Sequence, residues 1–302
     1  MTKSGWLLAA ALLFSGVAQA TDATPVLRIG ARVFTEQTLL ATLTSKYLES
    51  KGLRTQITGG LGSNIARSAQ ESGQLDLLWE YTGVSLVSYN HIDEKLDSAA
   101  TYARVKALDA RKGLVWLAPS KFNNTYALAL PDKIAQRYPQ INSISQLNAQ
   151  VQRNADESHV LALDTEFANR PDGLVGLTQA YGLTFGRRDI RQMDAGLVYT
   201  ALRNGQVFAG LVYTTDGRLD AFKLKVLEDD RHYFPDYTAA PVVRQAVLDH
   251  SPQLASLLKP LAELLDNSTM RRLNAQVDVE HQNPGAVAEA FLAEHPELKE
   301  AQ

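Results

Sequence analysis

Apolar residues along this chain recur at two different periods, and the places where one period gives way to the other mark out its elements. "VLRIG", residues 26–30, is a short β-branched run closed by a glycine. In the stretch that follows, "TEQTLLATLTSKYLESKG", Leu39, Leu40, Leu43, Tyr47 and Leu48 fall on one helical face and Gly52 suits a C-terminal cap. "LRTQIT" predicts a second strand, Gly59, Gly60 and Gly62 a turn, "SNIARSAQESGQ" a helix capped by Ser63, and "LDLLWEYTG" a strand that breaks at Gly83. Strands alternating with helices predict parallel βαβ units with right-handed crossovers.

Beyond a helix expected near 99–112, the runs "LVWLAPS" and "NNTYALALP" read as strands separated by a polar corner. "SISQLNAQ", "DGLVGLTQAYG" and "MDAGLVYTALRNGQV" read as helices, "HVLALD" as a strand. "GLVYTTDGRLDAF", residues 210–222, is an apolar strand that finishes abruptly on Tyr213, Thr214, Thr215 and Asp216. "LKVLEDD" predicts a further strand, and helices are expected over 242–249, 253–265, 267–274 and 284–294, the last with Pro284 in its first turn. This order predicts an α/β chain of two lobes joined by crossings near 122–126 and 213–217. Residues 21–124 and 215–302 would form the first lobe and 125–214 the second.

The first twenty residues stand apart from that pattern. Lys3, the apolar run from Trp6 to Val17 and Ala18-Gln19-Ala20 are the three parts of a cleaved secretory signal, so the mature chain is expected to begin at Thr21 and to be periplasmic. That run falls short of the ~20 residues a spanning helix needs. The chain has no cysteine, so an exported fold must stand on its core alone. Its net charge of −3 argues against nucleic acid or an anionic membrane as partner and favours a small solute.

Few motifs point to catalysis. The glycines at 59, 60 and 62 match neither the dinucleotide fingerprint nor the P-loop, and the six histidines, which show no paired ligand spacing, are expected at the surface. There is no G-x-S-x-G elbow, and the adjacent acids Asp93-Glu94 and Asp229-Asp230 lie in polar loops. No enzyme activity, metal or cofactor is expected, a periplasmic enzyme on a two-lobed scaffold being the alternative class. Tyr81, Tyr126, Tyr213 and Tyr237 each lie at a strand end or in a proline-bounded loop, where ligands of open α/β sheets bind. Together their faces would suit a cation without hydrogen-bond donors, such as trimethylammonium. Spacing alone leaves open whether the rings converge or are ordinary rim and core residues. Arg32 and Arg170 offer forked donors suited to a carboxylate.

The ordered segments "IGARVFTEQTLLA", "SGQLDLLWEYTG", "FNNTYALAL", "EFANRPDGLVGL", "MDAGLVYTAL", "YTTDGRL" and "LEDDRHYFPDYTAAPVVR" resemble the substrate-binding proteins of ABC importers for quaternary ammonium solutes, of the OpuC, ProX and OsmF type. The resemblance implies a type II periplasmic binding protein fold, its two lobes closing about two hinge crossings. It also implies an aromatic box at Tyr81, Tyr126, Tyr213 and Tyr237, with Arg32 and Arg170 on a carboxylate. The implied role is capture of glycine betaine, or else of choline, carnitine or another small solute, by a monomer that delivers it to a membrane permease. Two positions depart from the pattern. Val84 stands where some members have a threonine on the carboxylate, and Asn124, beside the box, stands where some carry an acid.

Overall fold

Residues 26–94, 96–154, 159–170 and 173–300 are described by a computed structural model; the expected signal segment lies outside them. Among the described residues ten strands occur in chain order: β1 (Val26–Arg32), β2 (Arg54–Leu61), β3 (Leu77–Tyr81), β4 (Leu114–Trp116), β5 (Tyr126–Leu130), β6 (Leu161–Asp164), β7 (Ile190–Met193), β8 (Ala209–Tyr213), β9 (Lys225–Val226) and β10 (Ala239–Arg244). They form two five-stranded sheets, ordered β2-β1-β3-β10-β4 and β7-β6-β8-β5-β9, one to each lobe. Every residue of β3, β5 and β6 is buried, and apart from Glu80 in β3 and Asp164 at the end of β6 these strands carry no charged side chain, as expected where helices cover both faces of a sheet. No helix among the described residues is long and apolar enough to cross a membrane.

The expected parallel pairing holds for β1 with β2 and β3, and for β6 with β7 and β8. Two strands run the other way. β10 is antiparallel to β3 and β4, and β5 is antiparallel to β8 and β9. Each of these strands enters its sheet from the other lobe instead of through a helical crossover, so nothing constrains it to the parallel sense.

Several expectations need correction, among them the Ser63 cap: Ser63 is the first residue of the helix Ser63–Glu71, whose N-cap is Gly62 with no side-chain bond. The helix over 242–249 starts later, at Gln245, because Val242 and Val243 are wholly buried in β10 between β3 and β4. The return crossing is not at 213–217, nor does the second lobe stop at 214. Leu224 and Leu227 are buried there, Leu227 N–H donates to Leu128 O at 2.8 Å, and β9 pairs with β5. The chain regains the first sheet between β9 and β10, where Asn123 bridges Thr238 and the two crossings lie side by side. Residues 214–217 instead pass against the first lobe, so closely that a Cβ on Gly217 would lie 2.4 Å from Ala275 Cβ. Finally, His159 is buried, its ring 4.5 Å from that of Phe208.

Two local features aim residues at the gap between the lobes. The β1–β2 register shifts between Gly30 and Arg32, where Gly59 and Gly60 of β2 stand against Ala31, a bulge that Gly60 accommodates with a φ of 73°, and Arg32 follows it at the end of β1. After β3, a π-helical turn, Val84–Tyr89, follows Gly83. A Cβ on Gly83 would lie 2.8 Å from the Tyr237 ring, so the absent side chain is what lets that ring pack there.

Candidate functional site

The gap between the lobes holds a cavity of ≈ 480 Å³, and Tyr81, Tyr126, Tyr213, Tyr237, Arg32, Arg170 and Asn124 all line it. Tyr126 opens β5 directly opposite Tyr213, which ends β8, so strand register alone brings these rings within 5.1 Å. Tyr237 comes from the returning crossing and meets Tyr126 at 5.4 Å with the rings perpendicular. Phe167 and Phe234 back Tyr126 at 4.9 and 6.0 Å. The polar end of β8 therefore faces the cleft.

Tyr81 ends β3 and lies on the first lobe, 6.3 Å from Phe34. The structure thus gathers three of the four expected tyrosines into one ring cluster and puts the fourth elsewhere on the cavity wall, packed on Phe34. Burial raises the phenol pKa of Tyr81 and Tyr213 well above the ordinary value, so both stay neutral and present intact ring faces. Tyr213 Oη donates to Asp164 Oδ2 at 3.1 Å, which fixes its ring.

The two arginines are placed differently. Arg170 follows the short helix Thr165–Asn169, and its Nη1 and Nη2 donate to Tyr126 Oη (3.1 Å) and Tyr237 Oη (2.9 Å). It also pairs at 3.8 Å with Glu166, which is largely exposed. Arg32 is 3 % exposed and engaged by Glu80 in a buried ion pair. Burial works against its charge, but Glu80 outweighs that and keeps it protonated. Its guanidinium lies 5.3 Å from the Tyr81 ring centre. Val84 lines the cavity with an apolar side chain, leaving no hydroxyl at that point of the wall.

Asn124 Nδ2 donates at 2.8 Å to Glu36, a residue of helix α1 (Thr35–Ser50) that sequence reasoning missed. An acid in the first turn of a helix reads as a solvated partner of the helix dipole, so nothing in "FTEQ" signals a buried carboxylate. Phe34 and Asp164 also escaped notice, since each looks like an ordinary element boundary. Chemically, the site offers aromatic faces and buried acids to a cation and a guanidinium to an anion.

Comparison with known proteins bears on what such a site takes. The family described as the substrate-binding domain of the ABC-type glycine betaine transport system matches residues 25–294. The chain is similar to the glycine-betaine-binding protein of Pseudomonas aeruginosa, with 55 % identity covering 100 % of this chain and 97 % of the relative. It is also similar, at 31 % identity over 93 % of this chain and 94 % of the relative, to the glycine betaine-binding protein YehZ of Escherichia coli. A solved structure described as a glycine betaine/carnitine/choline ABC transporter superposes with a TM-score of 0.77 at 27 % identity, covering 90 % of this chain and 99 % of the other.

Proposed function

Because this chain belongs to the family of substrate-binding domains of ABC-type glycine betaine transport systems, we propose that it is a periplasmic receptor which holds glycine betaine in its cleft and presents it to a membrane permease. The observation that carries this reading is the convergence of Tyr126, Tyr213 and Tyr237, from three separate chain segments, on one cavity with Arg170 among them. A trimethylammonium group has no donor to give, so it gains most from ring faces in a water-poor space. In this account the cation lies among those rings and Tyr81. The carboxylate faces Arg170, with Arg32 contributing what charge Glu80 leaves it.

Tyr81 belongs to the first sheet and Tyr126 and Tyr213 to the second, so complete enclosure requires the lobes to approach one another. The paired segments at 122–125 and 235–238 are where such a movement would turn, and the closed form is what the permease would read. Lys3, the apolar run from Trp6 to Val17 and Ala18-Gln19-Ala20 support export through a cleaved N-terminal signal.

A second reading, choline, is favoured by the engagement of Arg32 with Glu80 and by the apolar Val84, both of which reduce what the wall offers a carboxylate. Calorimetric titration with betaine, choline and carnitine separates the two. Tyr213→Ala is expected to weaken any of these ligands by about 1–2 kcal/mol. Unchanged affinity for all of them counts against the ring contact.

A further inference from the structure

Glu36 is a buried carboxylate of the cleft that is neither one of the ring residues nor one of the arginines. It is 4 % exposed and lies on the cavity wall. Its Oε1 accepts hydrogen bonds from Tyr81 Oη (2.7 Å) and Asn124 Nδ2 (2.8 Å), and its Oε2 from Thr215 Oγ1 (2.6 Å) and Asn274 Nδ2 (3.0 Å). These donors come from β3, the first crossing, the turn after β8 and the helix Asn267–Asp278. Every one of them is neutral. Among the described residues no lysine, arginine or histidine forms an ion pair with Glu36, and Arg32, the guanidinium over the Tyr81 ring, is engaged by Glu80.

Four donors favour the ionised carboxylate, but none cancels its charge. Burial accordingly pushes the Glu36 pKa up, and the hydrogen bonds from Thr215, Tyr81, Asn274 and Asn124 only partly offset it. Left alone, a buried charge without a counter-ion is unfavourable. A cation entering the cleft supplies the missing compensation. The Tyr81 hydroxyl also spends its proton on Glu36, which enriches the ring that would face the cation.

We propose that Glu36 is the fixed counter-charge of the cleft, the residue that makes the site prefer a cation to a neutral molecule of the same shape. This rests on the quaternary ammonium reading and deepens it. It also gives Asn124 a part: its side-chain amide donates to this acid on α1 and helps to hold it at the cavity wall.

The test compares choline with its tert-butyl analogue, in which carbon replaces nitrogen, as probes of the full chain by calorimetry and competition. Glu36→Gln keeps the shape and removes the charge, so choline affinity is expected to fall about 10- to 100-fold, with the neutral analogue changing less than about 3-fold. Glu36→Asp disturbs the same hydrogen bonds but keeps the charge, so both probes weaken together and discrimination survives. Equal losses for both probes in Glu36→Gln would reduce Glu36 to structural support and overturn the proposal. Loss of discrimination in Glu36→Asp would overturn it too, and decides the matter should Glu36→Gln not fold. A wild-type protein that binds neither choline nor betaine sinks the functional reading, and this proposal falls with it.

Discussion

Asp109→Ala is expected to destabilise the protein by about 3–5 kcal/mol, because it breaks a buried ion pair by removing one partner. Asp109 is wholly buried, and its carboxylate accepts from Arg67 Nη1 (2.9 Å) and Nη2 (2.6 Å), Ser85 Oγ (2.8 Å), Asn90 Nδ2 (3.1 Å) and Trp116 Nε1 (2.8 Å). Removing it strands the buried Arg67 with only Glu71 as counter-ion and leaves several donors unsatisfied. Burial pushes the Asp109 pKa up, but the bonds and charge of Arg67 outweigh it, so the folded value lies below the ordinary one. A depressed folded pKa means stability that is fully present above the unfolded value, about 3.9, and is lost as pH falls through the folded one. Urea titrations at neutral pH and across that acid range should therefore show a large loss and a flatter acid limb in the variant. A loss below about 1 kcal/mol would contradict the assignment. The cleft would feel the change as well, because Ser85 belongs to the π-helical turn that starts at Val84 on the cavity wall.

Arg170→Ala is expected to weaken glycine betaine by about 2–5 kcal/mol, since it removes the charged fork that the account sets against the carboxylate. Choline has no carboxylate, so its loss should stay near about 1 kcal/mol, the usual worth of the hydrogen bonds that orient Tyr126 and Tyr237. Arg170→Lys keeps the charge but cannot reach both hydroxyls, and should fall between. Calorimetry with both ligands on each variant reads the difference. Equal losses for betaine and choline would show that Arg170 acts only through the tyrosines.

Much of the fold was legible wherever one period ran uninterrupted. The first strand, α1 and β3 were marked by a β-branched run, a clean helical face and a continuous apolar stretch, and all three are present. β10 was hidden because Val242 and Val243 run straight into Val247 and Leu248, a sequence that fits a helix as readily as a buried strand. The return crossing was misplaced for a different reason. Asp216-Gly217 carries a strong turn signal, but what holds the chain in the second sheet is the tertiary burial of Leu224 and Leu227, which local sequence does not reveal.

The site divides in the same way. Tyr126 and Tyr213 were visible as strand ends, and their facing register makes them neighbours. Tyr237 and Arg170 lie in loops whose placement no periodicity encodes. Glu36 looked like a first-turn acid on an exposed helix end, and only the packing of four elements around it shows it to be buried.

The structure of the protein crystallised with glycine betaine tests the central claim most directly. The account predicts the methylated nitrogen within about 6 Å of the ring centres of Tyr81, Tyr126, Tyr213 and Tyr237, with the carboxylate turned toward Arg170. A nitrogen outside those rings, or a carboxylate among them, would contradict it.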